Sequence, residues 1–293
     1  MSVPTHLAGS VADLSTKAHC SEIECLMAEV VADPSSPLDS SVAQAALAHL
    51  SSGGNRVRAR LGLEAGMRVG LSKSDSVVLG AAVELLHNAS LVHDDLQDAA
   101  MLRRGVPTIF AARGPDVAVL TGDLLLSASY AAIAQFSRSA VIGEMLRLFH
   151  RRVARVIQGQ CCDLSARNRP VTELAQYEAI VAGKSGALLS LPLELALLGA
   201  GVRDTLGLAQ EAAESFGIGY QIIDDLQDVG IDGPLSLNIL NVLQAGRTLE
   251  EATCLATEIA SRHLKFSSEA AARLPLGAGE LLGKFAQVLN ERL

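Results

Sequence analysis

The stretch VVLGAAVELLHNASLVHDDLQD, residues 77–98, carries the reading of the fold. It is a long apolar run that closes on three aspartates, and its length and pattern are those of a helix. On a helix, Asp94 and Asp98 are four residues apart and share a face, while Asp95 is three residues from Asp98. Like charges at this spacing repel one another and weaken the helix. The residues before them are apolar, so the carboxylates stand at the rim of an apolar interior.

Working outward, the same pentapeptide Asp-Asp-Leu-Gln-Asp returns at 224–228, again closing an apolar helix (AAESFGIGYQIIDDLQD, 212–228). Apolar periodicity places helices near 40–50, 57–69, 74–101, 116–135, 138–162, 171–182, 185–199, 205–229, 247–263 and 277–292. Residues 1–16 are polar and mixed and read as a disordered N-terminus, while 32–41 (ADPSSPLDSS) and 51–54 (SSGG) read as interruptions. No composition shift marks a second domain. The expectation is a single all-α domain over residues 17–293.

Composition narrows the function. The 293 residues are 49% hydrophobic but only 3% aromatic, with no Trp, so the core must be built from Ala, Leu, Val and Ile. A nucleic-acid platform of stacked rings does not fit such a chain. The formal net charge of −8 argues further against nonspecific binding to nucleic acid or to anionic membranes. The cysteines (Cys20, Cys25, Cys161, Cys162, Cys254) form no CxxC pair and are odd in number, which predicts reduced thiols in a cytoplasmic protein. No N-terminal stretch has the shape of a signal peptide. Glu84, Asp123, Pro192 and Glu194 interrupt the apolar stretches, so no membrane span is expected.

Carboxylates without His or Cys are hard ligands and suit Mg²⁺ rather than zinc. Mg²⁺ takes one or two carboxylates together with substrate phosphates and water. A solvated helix end would account for one Asp-Asp-x-x-Asp. Two identical copies, each ending an apolar helix, point instead to a metal cage for a diphosphate.

A diphosphate needs cations as well. In Gly53-Gly54-Asn55-Arg56-Val57-Arg58-Ala59-Arg60 two glycines precede a basic helix start, as backbone approach to an anion requires. Taken alone, that segment reads first as a loop before an amphipathic helix. Arg103-Arg104-Gly105 follows Asp98 by about one helical turn, where arginines bond phosphate or aspartate bidentately or simply favour a helix C-terminus. Lys184 lies at a helix break, where it is a candidate ligand or an ordinary capping lysine. Gln221 precedes Asp224 by three residues and His87 precedes Asp94 by seven, each on the face of its aspartate.

These residues together resemble the trans-polyprenyl diphosphate synthase family, the type I isoprenoid synthases. HNASLVHDDLQDAAMLRRGVPT (87–108) is similar to the family's first aspartate-rich segment, including its Arg-Arg-Gly. GDLLLSASYAAI (122–133), VIQGQCCDL (156–164), YEAIVAGKSGAL (177–188) and FGIGYQIIDDLQD (216–228) resemble later family segments in the expected order. The resemblance runs from about residue 40 to the C-terminus. It implies a bundle of long, mostly antiparallel helices around a central apolar cavity, in a homodimer.

It also implies a reaction. An allylic prenyl diphosphate is held by three Mg²⁺ ions on Asp94, Asp98, Asp224 and Asp228, with Asp95 and Asp225 in support. Arg103 and Lys184 neutralise the diphosphate and Gln221 orients near it. Isopentenyl diphosphate is held opposite by Arg58, His87 and Arg104, and its double bond attacks the allylic cation. Ala89 and Ser90, four to five residues before Asp94, leave room for a growing tail, which implies a product of about C20 or longer.

The sequence departs from the family in two places. GGNRVRARL (53–61) stands where the family has GGKxxRP, so Asn55 replaces a lysine that contacts isopentenyl diphosphate and Ala59 replaces the proline. Arg56 or Arg60 is the nearest substitute for that lysine. The segment VGIDGPLSLNILNVL (229–243) lacks both lysines the family carries there. These losses keep a second enzyme open, a terpene synthase or cyclase that ionises one prenyl diphosphate without isopentenyl diphosphate. A third reading, a non-catalytic subunit of a heteromeric synthase, sits poorly with two complete aspartate motifs. The scarcity of aromatic faces, which cyclases use to stabilise cations, favours the synthase.

Overall fold

The computed structural model describes residues 14–32, 41–227 and 236–293. The chain divides into two compact units, residues 1–146 and 147–293. The first holds α1 (Leu14–Ala32), α2 (Ser41–Ser51), α3 (Val57–Arg68), α4 (Lys73–Gln97), the two-residue strands β1 (Leu102–Arg103) and β2 (Val106–Pro107), α5 (Ile109–Arg113) and α6 (Pro115–Ile133). α7 (Ser139–Ala166) runs across the boundary. The second holds α8 (Leu174–Val181), a π-helical turn (Ala182–Gly186), α9 (Ala187–Gly199), α10 (Leu206–Gln227), α11 (Ile239–Leu243), α12 (Leu249–Ala272) and α13 (Glu280–Asn290). The all-α expectation holds. Of the expected loose stretch at 1–16, residues 14–16 open α1 and the rest lie outside the described residues, as does most of the break at 32–41.

α4 is the spine of the first unit and packs on α1, α3 and α6. Leu79, Ala82, Val83 and Leu85 along it are fully enclosed. A buried side chain of this kind contributes roughly 1.5–3 kcal/mol, so apolar residues on nearly every face of α4 fix it as a central element. Ser72 caps its start by accepting the Asp75 N–H at 3.0 Å. The Asp75 carboxylate accepts from Ser137 N–H and Oγ at 2.8 and 2.7 Å, which ties the foot of α4 to the residues after α6.

α4 stops at Gln97 rather than at the expected 101. Ala99 takes a left-handed conformation (φ 49°), and the Ala99 and Ala100 N–H groups bond the Leu96 and Asp95 carbonyls at 3.2 and 2.8 Å. This is the reversed-chain helix stop usually built on glycine. The antiparallel pair β1–β2, with Arg103 opposite Val106, then returns the chain.

In the second unit α10 packs on α9 and α12, and α12 on α13. α9 is buried along its whole length, although Pro192 removes one of its backbone hydrogen bonds. α12 starts on a reciprocal cap between Thr248 and Glu251, and runs to Ala272, nine residues past its expected end.

α1 was not anticipated. Its buried face from residue 21 on is a stripe one residue wide, Ile23, Met27 and Val31, each at most 2% exposed. The expectation that no helix suits a membrane also needs correcting. By length and composition three are apolar enough to cross one: 73–97, 115–133 and the run 174–199. In the first and third, 89% and 94% of the apolar window is buried inside the protein, so their apolarity is that of core helices; in the second, 44% is buried.

Candidate active site

The two aspartate motifs sit at the C-terminal ends of α4 and α10, and each splits in the same way. Asp94 and Asp224 are partly exposed and Asp98, which caps α4, is exposed. The middle residues, Asp95 and Asp225, are 2% and 3% exposed. Asp228 lies outside the described residues.

In the first unit Asp95 is held by Arg103. Arg103 Nε donates to both carboxylate oxygens at 2.8 and 2.9 Å, and Nη2 lies 2.7 Å from Oδ1. The hairpin β1–β2 therefore delivers an arginine fork to the motif's own middle carboxylate. Arg103, expected to neutralise a substrate diphosphate, instead spends three contacts inside the protein.

The basic segment is folded more tightly than its sequence suggests. Arg56 precedes α3 in a left-handed conformation (φ 47°) and is 7% exposed. Its Nε donates to Glu24 at 3.2 Å, its Nη2 to the Leu50 carbonyl at 2.5 Å, and its Nη1 lies 3.5 Å from Glu84. Arg56 is thus turned inward, onto Glu24, the Leu50 carbonyl and Glu84. Arg60 is buried as well, and Asn55 is partly exposed. Glu84 also accepts the Ala59 N–H at 3.2 Å, a donor that a proline at 59 would not have.

Arg58 and His87 do meet. Arg58 Nη1 lies 3.2 Å from His87 Nε2. Because a guanidinium only donates, Nε2 must accept, and the imidazole carries its proton on Nδ1, a buried atom with no hydrogen-bond partner among the described residues. Burial and then Arg58 hold the imidazole well below its usual range, so it is neutral. Arg104, also left-handed (φ 54°), donates through Nη1 to the Gly53 carbonyl. Gly54 has a φ of 141°, which favours glycine, and a Cβ there would lie 2.7 Å from that guanidinium. His49, in the last turn of α2, is lowered to about 4 by burial, with Asp95 opposing and Arg103, Arg104 and Arg56 reinforcing the shift. Ala89 is buried, and Ser90 Oγ donates to the His87 carbonyl at 2.7 Å.

In the second unit Asp225 gathers neutral donors instead. Tyr177 Oη, Gln221 Nε2 and the Ile239 N–H donate to it at 2.8, 2.7 and 2.7 Å. Asn238 Nδ2 donates to its carbonyl at 3.3 Å and caps α11 through Leu240 N–H. Gln221 therefore points at its own motif. Lys184 lies in the π-helical turn and donates to Asp163 at 2.6 Å. A Cβ on Gly159 would lie 2.6 Å from the Lys184 nitrogen, so α7 and the turn touch backbone to backbone. Sequence reasoning missed Asp163, Tyr177, Asn238 and Glu84 as partners. Asp163 sits in VIQGQCCDL, where the only signal was an acid among apolar residues.

Among the described residues no group of three or more His, Cys, Asp or Glu side chains is gathered for a metal. What the first motif does present is Asp94 and Asp98, with Asp95 withdrawn onto Arg103. An oxygen-only pair of this kind fits Mg²⁺, which needs one or two carboxylates beside substrate phosphates and water.

A polyprenyl synthetase family model matches residues 40–233. Among curated relatives, the short chain isoprenyl diphosphate synthase of Methanothermobacter thermautotrophicus is 29% identical over 62% of this chain and 57% of its own length. The farnesyl diphosphate synthase of Bacillus subtilis is 34% identical over 64% of this chain and 67% of its own. The chain thus spans between about half and three quarters of the length of the curated relatives it matches, and less than two thirds of several of them. Among solved structures, the geranylgeranyl pyrophosphate synthetase of the archaeon Geoglobus acetivorans superposes with a TM-score of 0.82 at 22% identity, over 94% of this chain and 99% of that one. That likeness establishes the all-α fold, and the family model, covering more than half of the sequence, establishes the kinship: the chain belongs to the polyprenyl synthetase family.

Proposed function

We propose that the protein is a Mg²⁺-dependent prenyltransferase that joins an allylic prenyl diphosphate to isopentenyl diphosphate, giving a trans-prenyl diphosphate of about C20 or longer. The observation that carries this is the division within the first Asp-Asp-Leu-Gln-Asp. Arg103 fixes the middle carboxylate inside, and Asp94 and Asp98 stand less buried at the end of an apolar helix, where their oxygens would serve as ligands. Asp94 and Asp98 in one motif, and Asp224 and Asp228 in the other, would hold the Mg²⁺ ions. Bound Mg²⁺ would neutralise the diphosphate and stabilise the charge that develops as the allylic C–O bond breaks. Lys184, oriented by Asp163, is a cation available for a diphosphate. Arg58, His87 and Arg104 bind the second diphosphate, with His87 acting as a neutral donor through Nδ1. Buried Leu91 and Val92, just before Asp94, keep water from the reacting carbon. The small side chains Ala89 and Ser90 leave space for the tail. The reading carries with it a homodimer in the cytoplasm.

The inward turn of Arg56 and the neutral Asn55 favour a second reading, a cyclase that needs no isopentenyl diphosphate. Two incubations separate them. With an allylic diphosphate, Mg²⁺ and labelled isopentenyl diphosphate, the transferase gives labelled, longer prenyl diphosphates. Hydrocarbon formed from geranylgeranyl diphosphate alone would replace this reading with the cyclase.

A further inference from the structure

α8 carries two adjacent polar residues that reach different partners. Tyr177 turns inward, and its hydroxyl donates to Asp225 at 2.8 Å. Glu178, the next residue, lies 3.2 Å from His263 Nε2 on α12. Neighbours on a helix diverge by about 100°, so one residue serves the second aspartate motif while the other meets α12. Because a carboxylate only accepts, His263 Nε2 donates to Glu178. The other ring nitrogen, Nδ1, lies 2.9 Å from Ser215 Oγ on α10. A hydroxyl can donate or accept, so that bond is kept whether the imidazole is neutral or charged. One ring thus ties α8, α10 and α12 together.

α8 is joined to α9 through the π-helical turn, and no side chain caps its start. Its buried residues Tyr177, Ile180 and Val181 belong to the apolar cluster that α11 and α12 share. Apolar contact is non-directional, so it holds α8 in place without fixing where the Tyr177 hydroxyl stands. The polar bonds at 177 and 178 supply the direction. Ser215 and Asp225, where these bonds end on α10, are 7% and 3% exposed, so water does not take over a bond that is lost there. The two residues of α8 are also coupled by charge: burial and then Asp225 push the Tyr177 hydroxyl up, and Asp224 and Glu178 add to the effect. We infer that His263 is a positioning residue for the second aspartate motif: bonded to Glu178 and Ser215, it fixes α8 on α10, sets Tyr177 against Asp225 and so leaves Asp224 at the rim. Its effect on turnover rests on the prenyl-transfer reading, whereas its effect on Tyr177 does not.

The chain has three tyrosines, so the Tyr177 hydroxyl proton can be followed by proton NMR of the full-length protein and identified by its loss in Tyr177→Phe. Buried and bonded to a carboxylate, that proton should exchange slowly with water. In His263→Ala its exchange should quicken by about tenfold or more, the worth of one charge-assisted hydrogen bond. The Mg²⁺ concentration for half-maximal turnover should rise by about threefold or more in the same variant, with the KM for isopentenyl diphosphate unchanged. His263→Gln, whose amide can still donate to Glu178, should stay near wild type in both measurements. A merely structural residue would lower the melting temperature without moving either. Unchanged exchange in His263→Ala, or a wild type whose Tyr177 hydroxyl is not protected, overturns the inference. If His263→Ala does not fold, Glu178→Ala cuts the same tie at its more exposed end, 30% against 20%, and unchanged exchange there overturns it equally. Faster exchange with an unmoved Mg²⁺ dependence overturns the link to Asp224. If exchange quickens as expected but even the wild type joins no isopentenyl diphosphate, the prenyl-transfer reading falls while the placement of Tyr177 stands.

Discussion

The two copies of Asp-Asp-Leu-Gln-Asp are identical in sequence and are held by opposite means. In the first, a charged fork from the hairpin, Arg103, clamps the buried middle aspartate. In the second, three neutral donors from α8, α10 and α11 do so, through Tyr177, Gln221 and the Ile239 N–H. The same pentapeptide thus reaches the same division, one carboxylate inside and its predecessor at the rim, through an ion pair in one unit and a hydrogen-bond cage in the other. On the proposed reading, the part the copies share is the part the chemistry would need, and the part that differs is support.

The comparison breaks most sharply at the rim. Asp94→Ala and Asp224→Ala should each lower prenyl-diphosphate turnover by about 10³-fold or more while leaving thermal stability near wild type. Retained turnover in Asp94→Ala would remove the metal assignment. The buried aspartates should behave differently from the rim and from each other. Asp95→Asn strands Arg103 and should cost about 3–5 kcal/mol in denaturant unfolding. Asp225→Asn keeps a neutral acceptor among neutral donors and should cost about 1–3 kcal/mol. Equal losses would mean the two clamps are energetically alike.

Acid should distinguish the units next. In the first, burial holds His49 neutral with a pKa of about 4 and depresses His87 as well. Between pH 6.5 and 4 the unfolded chain binds protons that the folded chain does not, so stability is full above 6.5 and falls as the pH drops. His49 alone should account for about 3 kcal/mol at the bottom of that window. In the second, burial and Asp225 push the Tyr177 hydroxyl well above its usual value, so that clamp stays protonated throughout. His49→Gln should flatten the fall in unfolding midpoint between pH 7 and 5, and an unchanged slope would count against the assignment. The smallest effect concerns the end of α4. Ala99→Gly relieves a left-handed alanine and should raise stability by about 1 kcal/mol in a thermal melt.

How much of this the sequence revealed follows the range of each interaction. Asp94 and Asp98 share a face because helical spacing is local, and the apolar run before them announces a core helix. The helix α1 was legible, since Ile23, Leu26, Met27, Val30 and Val31 follow helical spacing, but that run is only nine residues long and follows a polar stretch that masked it. The five-residue helices α5 and α11 are too short for any period. In the site, the partners were the illegible part. Nothing local indicates that Arg103 turns back onto Asp95, that Lys184 meets Asp163 across 21 positions, or that a left-handed Arg56 faces Glu24, 32 positions earlier.

The π-helical turn at Ala182–Gly186 has a consequence for insertions and deletions. One extra residue in a single turn shifts the azimuth of everything after it by about 100° relative to an unbroken α-helix. Removing one residue from 182–186 would restore an unbroken α-helix and rotate the Leu-rich face of α9 away from its seat on α10. This short stretch is therefore a counting register. Substitutions in it alter a side chain, but a change in its length re-indexes α9 against α10.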